Sequence, residues 1–108
     1  MFVLDQSNEY VWPVEFDLAT KVGIKRVTFN GHFRRIPLSE ANNIYAAVKS
    51  DIELVNAVFV GWDDVWLTTD QELPVNAKNR EILLDHLQVP ASIVKAWLES
   101  LQGGVRKN

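Results

Sequence analysis

No cysteine occurs in the 108 residues, which removes disulfides, thiolate metal centres and a cysteine nucleophile together. That absence fits a reducing compartment. No apolar run approaches the roughly 20 residues that cross a bilayer, and the opening Met-Phe-Val-Leu-Asp has no basic start of the kind that begins an export signal. A soluble, unexported protein is expected. Positive charge is also short: 11 Lys and Arg stand against 14 Asp and Glu, a net charge of -3. General nucleic-acid binders carry the opposite excess, because their affinity comes from releasing the counterions of phosphates.

Catalytic signatures are missing as well. There is no glycine-rich phosphate loop and no serine elbow. The two histidines, His32 and His86, stand in no metal-ligand spacing, and the adjacent Asp85 and His86 would point to different sides of a helix. Asp63 and Asp64 lack the spacing of a calcium loop and read as a solvated turn. The expectation is a protein that is not an enzyme and takes no metal or cofactor.

What is present is an ordinary globular balance, 47% hydrophobic and 23% charged residues, with neither a repeat nor a low-complexity segment. It suits one compact domain over residues 1–102, followed by a short basic tail at 103–108 that reads as flexible. Along residues 10–18, Trp12, Val14, Phe16 and Leu18 alternate with Pro13, Glu15 and Asp17, the period of a half-buried strand. Pro13 offers no backbone donor and so places that strand at a sheet edge or near a strand start. After a turn at 21–23, residues 24–33 put Val27 and Phe29 on one face and Arg26, Thr28 and Asn30 on the other. Asn30-Gly31 is a strong hairpin-turn signal, which would return residues 32–36 as a third strand; a bulge at Gly31 is the competing reading.

From Ser39 the period becomes helical. Ser39 is placed to cap a first helix with Glu40 in its first turn and a stripe of Ile44, Ala47 and Val48, although Asn42 stands where a capping box would have Glu or Gln. Asp51 offers a second cap for a stripe of Ile52, Val55, Val58, Phe59 and Trp62, with a strand over 57–60 as the alternative. A surface loop then carries Val65, Trp66 and Leu67. Asn76 caps a third helix, with Ile82, Leu83 and Leu87 inward. Pro90 opens a fourth, with Ile93, Val94, Trp97, Leu98 and Leu101 inward and Gly103 at its end. Strands followed by helices mean an α+β fold: an N-terminal antiparallel hairpin or three-stranded sheet packed on three to four C-terminal helices.

Two groups of side chains stand out as interaction candidates. Lys25, Arg26, Arg34 and Arg35, with Phe29 and Phe33 among them, would suit single-stranded nucleic acid or an acidic protein patch. Of the four tryptophans, Trp12 and Trp97 fall on core stripes, while Trp62 and Trp66 flank a polar loop, where large aromatics often anchor partners. The candidate interaction surface is therefore Phe33, Arg34 and Arg35 with Trp62 and Trp66.

A run of segments, Phe33-Arg34-Arg35-Ile36-Pro37-Leu38-Ser39-Glu40, then Val60-Gly61-Trp62-Asp63, then Glu72-Leu73-Pro74, then Ala96-Trp97-Leu98-Glu99-Ser100-Leu101 and the Gly-Gly-Val-Arg-Lys-Asn end, resembles the tail assembly chaperones of long-tailed bacteriophages. The match covers residues 11–108; its order and spacing are more specific than any one segment. The resemblance implies a binding protein of the host cytoplasm that coats the long helical tape measure protein, keeps it soluble and recruits tail tube subunits. Self-association is expected, since many copies must line one partner. The family supplies no catalytic residue to carry over. It also implies a longer product made by programmed ribosomal frameshifting: Arg106-Lys107-Asn108 can be encoded across the slippery heptamer A AAA AAC. The alternative, from another class, is a small nucleic-acid-binding regulator using the basic sheet face.

Overall fold

The computed structural model describes residues 1–4, 6–47 and 49–102; the expectations for Val48, for Gly103 as a helix end and for the 103–108 tail with its frameshift tripeptide lie outside them. The chain forms an α+β fold of five strands and four helices among these residues. β1 (Glu9–Thr20) and β2 (Gly23–Arg34) make a long antiparallel hairpin, α1 (Leu38–Ala47) and α2 (Asp51–Val58) follow, and β3 (Phe59–Asp63) returns to the sheet. A small two-stranded flap, β4 (Trp66–Thr68) and β5 (Gln71–Glu72), precedes α3 (Ala77–Leu84) and α4 (Val89–Leu101). The main sheet runs β1-β2-β3, so β1 is an edge strand and Pro13 sits where its missing donor costs least.

The hairpin is longer than expected because Asn30-Gly31 does not turn. β2 passes straight through, and Gly31 lies opposite Trp12 on one side and Trp62 on the other. A Cβ at Gly31 would stand 2.9 Å from Phe33 Cε2 and 3.0 Å from Val14 Cγ2, so the glycine is there to let these side chains close over the strand. The turn itself is at Lys21 and Val22 between the paired Thr20 and Gly23. Gly23 takes the left-handed φ of 129°, and the Thr20 hydroxyl donates to the Gly23 carbonyl at 2.7 Å.

A register shift does occur, one step beyond the glycine: His32 faces Gly61 and Phe33 faces Phe59, leaving Val60 as the extra residue. The shift changes the parity of β3. Phe59 and Trp62, three apart, both reach the core, as a pair that spacing would otherwise require a helix wheel to align. The helix read through 52–62 therefore ends at Val58, and the strand alternative is the one realised, starting at Phe59.

Caps also differ. α1 begins at Leu38, with Glu40 and Ala41 donating to the Pro37 carbonyl, so Ser39 is inside the helix and not its cap. α2 is capped by Ser50, not Asp51: the Ser50 hydroxyl accepts from the Glu53 amide at 3.3 Å. Asn76 caps α3 as expected, accepting from Asn79 N at 2.8 Å, and Pro90 stands in the first turn of α4.

The core gathers Val14, Phe29 and Phe33 of the hairpin, Leu54, Val55 and Val58 of α2, Phe59 and Trp62 of β3, then Leu73, Leu83, Val89, Ile93, Ala96 and Trp97. On α4, Val89, Ile93, Ala96 and Trp97 recur at the spacing of one helix face. Leu98 and Leu101, expected inward, are exposed, as are Ile82 and Leu87; Leu87 falls in the turn after α3, which stops at Leu84. Leu18 is likewise exposed, because the hairpin outruns the core. The radius of gyration, 14.9 Å, exceeds the about 13 Å of a compact chain of this length.

Candidate functional site

The predicted interaction residues separate into buried and exposed sets. Phe33 is 0% exposed and Trp62 2%, so both are core and neither can present a surface. Phe33 stacks with Tyr10 at 5.8 Å and meets Phe59 edge-on at 5.8 Å; Phe59 in turn stacks on Trp62 at 6.2 Å. The buried Trp62 indole donates to the Leu73 carbonyl at 2.9 Å, fastening the flap to the sheet. Arg34, Arg35 and Trp66 remain accessible.

Each of these three borders a cleft. The first, of about 330 Å³, lies between the base of β1, the start of α1 and the end of α4, lined by Tyr10, Trp12, Arg34, Arg35, Trp97 and Leu101 with Ile36, Ala41 and Ser100. Its cations are held in place. Arg34 pairs with Glu40 of α1 and donates to the Ala57 carbonyl at 3.2 Å, while the Arg35 guanidinium lies over the Tyr10 ring at 5.0 Å. The hydrogen bond from Arg34 holds the Glu40 carboxyl below its ordinary value, and Glu40 raises Arg34 in return. Ser100 Oγ donates to the Trp97 carbonyl at 2.6 Å, so the Tyr10 hydroxyl must be the donor in its 2.7 Å bond to Ser100. The tyrosine thereby joins β1 to α4 at the cleft floor.

The second cleft, of about 270 Å³, opens under the distal hairpin. Phe16, Leu18, Val27 and Phe29 form its floor, with Val65 and Trp66 of the flap on one wall and Leu83, His86 and Val89 on the other. Trp66 is 49% exposed and is oriented by a 2.8 Å bond from its indole to Asp64. A third, shallow hollow between α2 and α3 holds Ile52, Asn56, Leu84 and Arg80. Arg80 covers the Phe59 ring at 5.3 Å and donates to the Val55 carbonyl near the end of α2; burial pulls its guanidinium below the ordinary arginine value.

The four basic residues do not meet. Lys25 and Arg26 lie near the hairpin tip and Arg34 and Arg35 at its base, about 27 Å apart at the rise of a strand. Lys25 faces Leu18 on the inner side, whereas Arg26 faces Asp17 on the outer side and approaches it to 3.5 Å. His32 Nε2 donates a 2.7 Å hydrogen bond to the Asp63 carboxylate across the outer sheet face, and His86 is exposed at the rim of the second cleft. Among the described residues, no three His, Cys, Asp or Glu side chains gather as metal ligands, and no helix is long and apolar enough to cross a membrane.

Sequence reasoning missed Tyr10 and Arg80, although both are arginine–aromatic pairings whose partners, Arg35 and Phe59, lie far off in the chain. No protein-family model, curated protein or solved structure matches the chain. The geometry of the clefts therefore carries the functional argument.

Proposed function

We propose that this chain is a tail assembly chaperone of a long-tailed bacteriophage, acting without catalysis in the host cytoplasm. It covers the tape measure protein, keeps it soluble and recruits tail tube subunits. The observation that carries the reading is the first cleft: an aromatic floor of Tyr10, Trp12 and Trp97 with Arg34 and Arg35 on its rim and the exposed Leu101 beside them. An apolar stripe flanked by carboxylates, as on one face of an amphipathic helix, is the complement of such a surface. A tape measure helix exposes stripes of this kind along its length and aggregates unless they are covered. The segment order that resembles the tail assembly chaperones supplies the partner.

The nucleic-acid alternative has no comparable support, because Lys25 and Arg26 stand far from Arg34 and Arg35 and no continuous basic track joins them. Co-expression with a tape measure segment tests the proposal. The wild-type chain should raise the soluble fraction of that segment, and Ala41→Glu with Leu101→Asp at the cleft rim should abolish the gain while leaving the fold intact. The complex should persist in high salt, where phosphate binding would fail. No gain in soluble tape measure with the wild-type chain, or an undiminished gain with the double variant, would refute it.

A further inference from the structure

The second cleft lies along an unfinished sheet edge. β2 pairs with β1 over its whole length, but with β3 only from Asn30 to Phe33. At Asp64 the backbone takes a φ of 66°, the left-handed region, and carries the chain out of the sheet into the flap. The flap does not rejoin β2; β4 pairs with β5 alone. Residues 23–29 of β2 thus have no ladder partner on that side among the described residues. The cleft lies beneath the inner face of the hairpin beside that edge, lined by Phe16 and Leu18 of β1, by Val27, Thr28 and Phe29 of β2, and by Asp64, Val65 and Trp66 where the chain leaves the sheet. A free strand edge beside an apolar hollow is the geometry of strand addition.

The chain also carries an apolar segment outside every strand and helix, ahead of β1. Met1, Phe2, Val3 and Leu4 are all largely exposed, with Phe2 at 84%. In an extended backbone Phe2 and Leu4 share one face, as Val27 and Phe29 do on the inner face of β2. The arm cannot reach the cleft of its own molecule. Its base is held at the opposite end of the hairpin, where Arg35 Nε donates to the Ser7 carbonyl at 3.2 Å and Arg35 N to the Asn8 carbonyl at 2.8 Å. Phe2 stands five residues from Ser7, a span of at most about 18 Å. The Phe16–Val27 pair at the cleft floor is nine residues from Ser7 along the strand direction, about 30 Å away.

We propose that residues 1–4 of one copy add as a strand along the free edge of β2 in a second copy, seating Phe2 and Leu4 against Val27, Phe29 and Trp66. The contact is head-to-tail, since arm and cleft lie at opposite ends of the hairpin, so it builds open chains of subunits rather than a closed pair. The proposal deepens the reading above, resting on it only in that several copies act together.

Mixing two defective variants of the full chain tests it. Light scattering or sedimentation of the wild type should show concentration-dependent species larger than a dimer. The arm variant Phe2→Asp with Leu4→Asp, and the cleft variant Val27→Asp, should each be folded monomers by circular dichroism and sedimentation. Mixed in equal amounts, they should form a one-to-one dimer and nothing larger, because one intact arm then meets one intact cleft. Trp66→Ala, at a half-exposed site, provides a second cleft variant should Val27→Asp fail to fold, and should weaken self-association about tenfold or more. A wild type that stays monomeric at every soluble concentration overturns the proposal. So does an arm variant that associates like the wild type, or a mixture of folded variants that remains monomeric. A cleft variant that keeps self-association but loses tape measure solubilisation assigns the cleft to that helix instead and overturns it too. Loss of solubilisation in the Ala41→Glu, Leu101→Asp variant is read independently, so the two readings can fail separately.

Discussion

The two halves of the hairpin share one ladder and differ in almost everything else. At the base, Val14, Phe29 and Phe33 are buried between α2, α4 and β3, and Gly31 gives up its side chain so that the packing can close. Toward the tip, Leu18, Val22 and Ile24 are exposed and the cross-strand contacts are the Asp17–Arg26 ion pair and the Thr20 hydroxyl bond. The β1–β2 ladder runs through both halves, but only the base has a second ladder, to β3, and only the base is buried. The base is the part that folding requires. The tip keeps apolar side chains in water, which stability alone does not reward and which a binding surface explains.

That contrast can be broken most forcefully at the base. Phe33→Ala, at a site with no exposure, should cost about 3–5 kcal/mol through lost transfer energy and a cavity among Tyr10, Phe59 and Val14. Trp97→Ala should fall in the same range. Thermal or denaturant unfolding reads both, and an unchanged midpoint in either would place that residue outside the core. Gly31→Ala should cost about 1–3 kcal/mol, because its new methyl meets Phe33 and Val14 below contact distance. An unaffected Gly31→Ala would mean that the strand shifts freely there and that the base is no better packed than the tip.

At the tip the same measurement should move little. Ile24→Ser and Leu18→Ser together should change stability by less than about 1 kcal/mol, and a larger loss would show the distal hairpin to be part of the core. The smallest effect is expected at the Arg34–Glu40 pair, whose side chains are 38% and 41% exposed. Glu40 is lower in the folded protein than in the unfolded chain, so its contribution is complete above the ordinary glutamate value of about 4.3 and is lost as pH falls through the folded value. Arg34→Met should therefore flatten the acid limb of a stability–pH profile slightly, and solvent screening keeps the change small. An acid limb that is unchanged by Arg34→Met would separate α1 from the hairpin base.

Where sequence reasoning failed, it failed at points decided by distant neighbours. Asn30-Gly31 has every local mark of a hairpin turn, yet it sits mid-strand because Trp12 and Trp62 flank it from two other strands. Phe59 and Trp62 have helical spacing, yet lie in β3, because an extra residue at Val60 shifts the strand's parity. Of the five candidate surface residues, two are core through distant neighbours: Phe33 packs between Tyr10 and Phe59, and the loop after Trp62 folds back so that its indole meets the Leu73 carbonyl.

The α+β order, the first hairpin strand with its edge proline, the Asn76 cap, Pro90 in the first turn of α4 and Trp97 on its inner face were all legible in the sequence. They depend on periods of two and 3.6, on φ preferences and on side-chain to backbone bonds within a few residues. The tertiary structure alone decided that β2 runs unbroken through Gly31, that its outer half lacks a partner, and that Arg35 lies on Tyr10 while Arg80 lies on Phe59. Each of these joins residues well separated in the chain, and no local preference encodes which distant surface a side chain will meet; that is settled only when the hydrophobic faces pack together and exclude water.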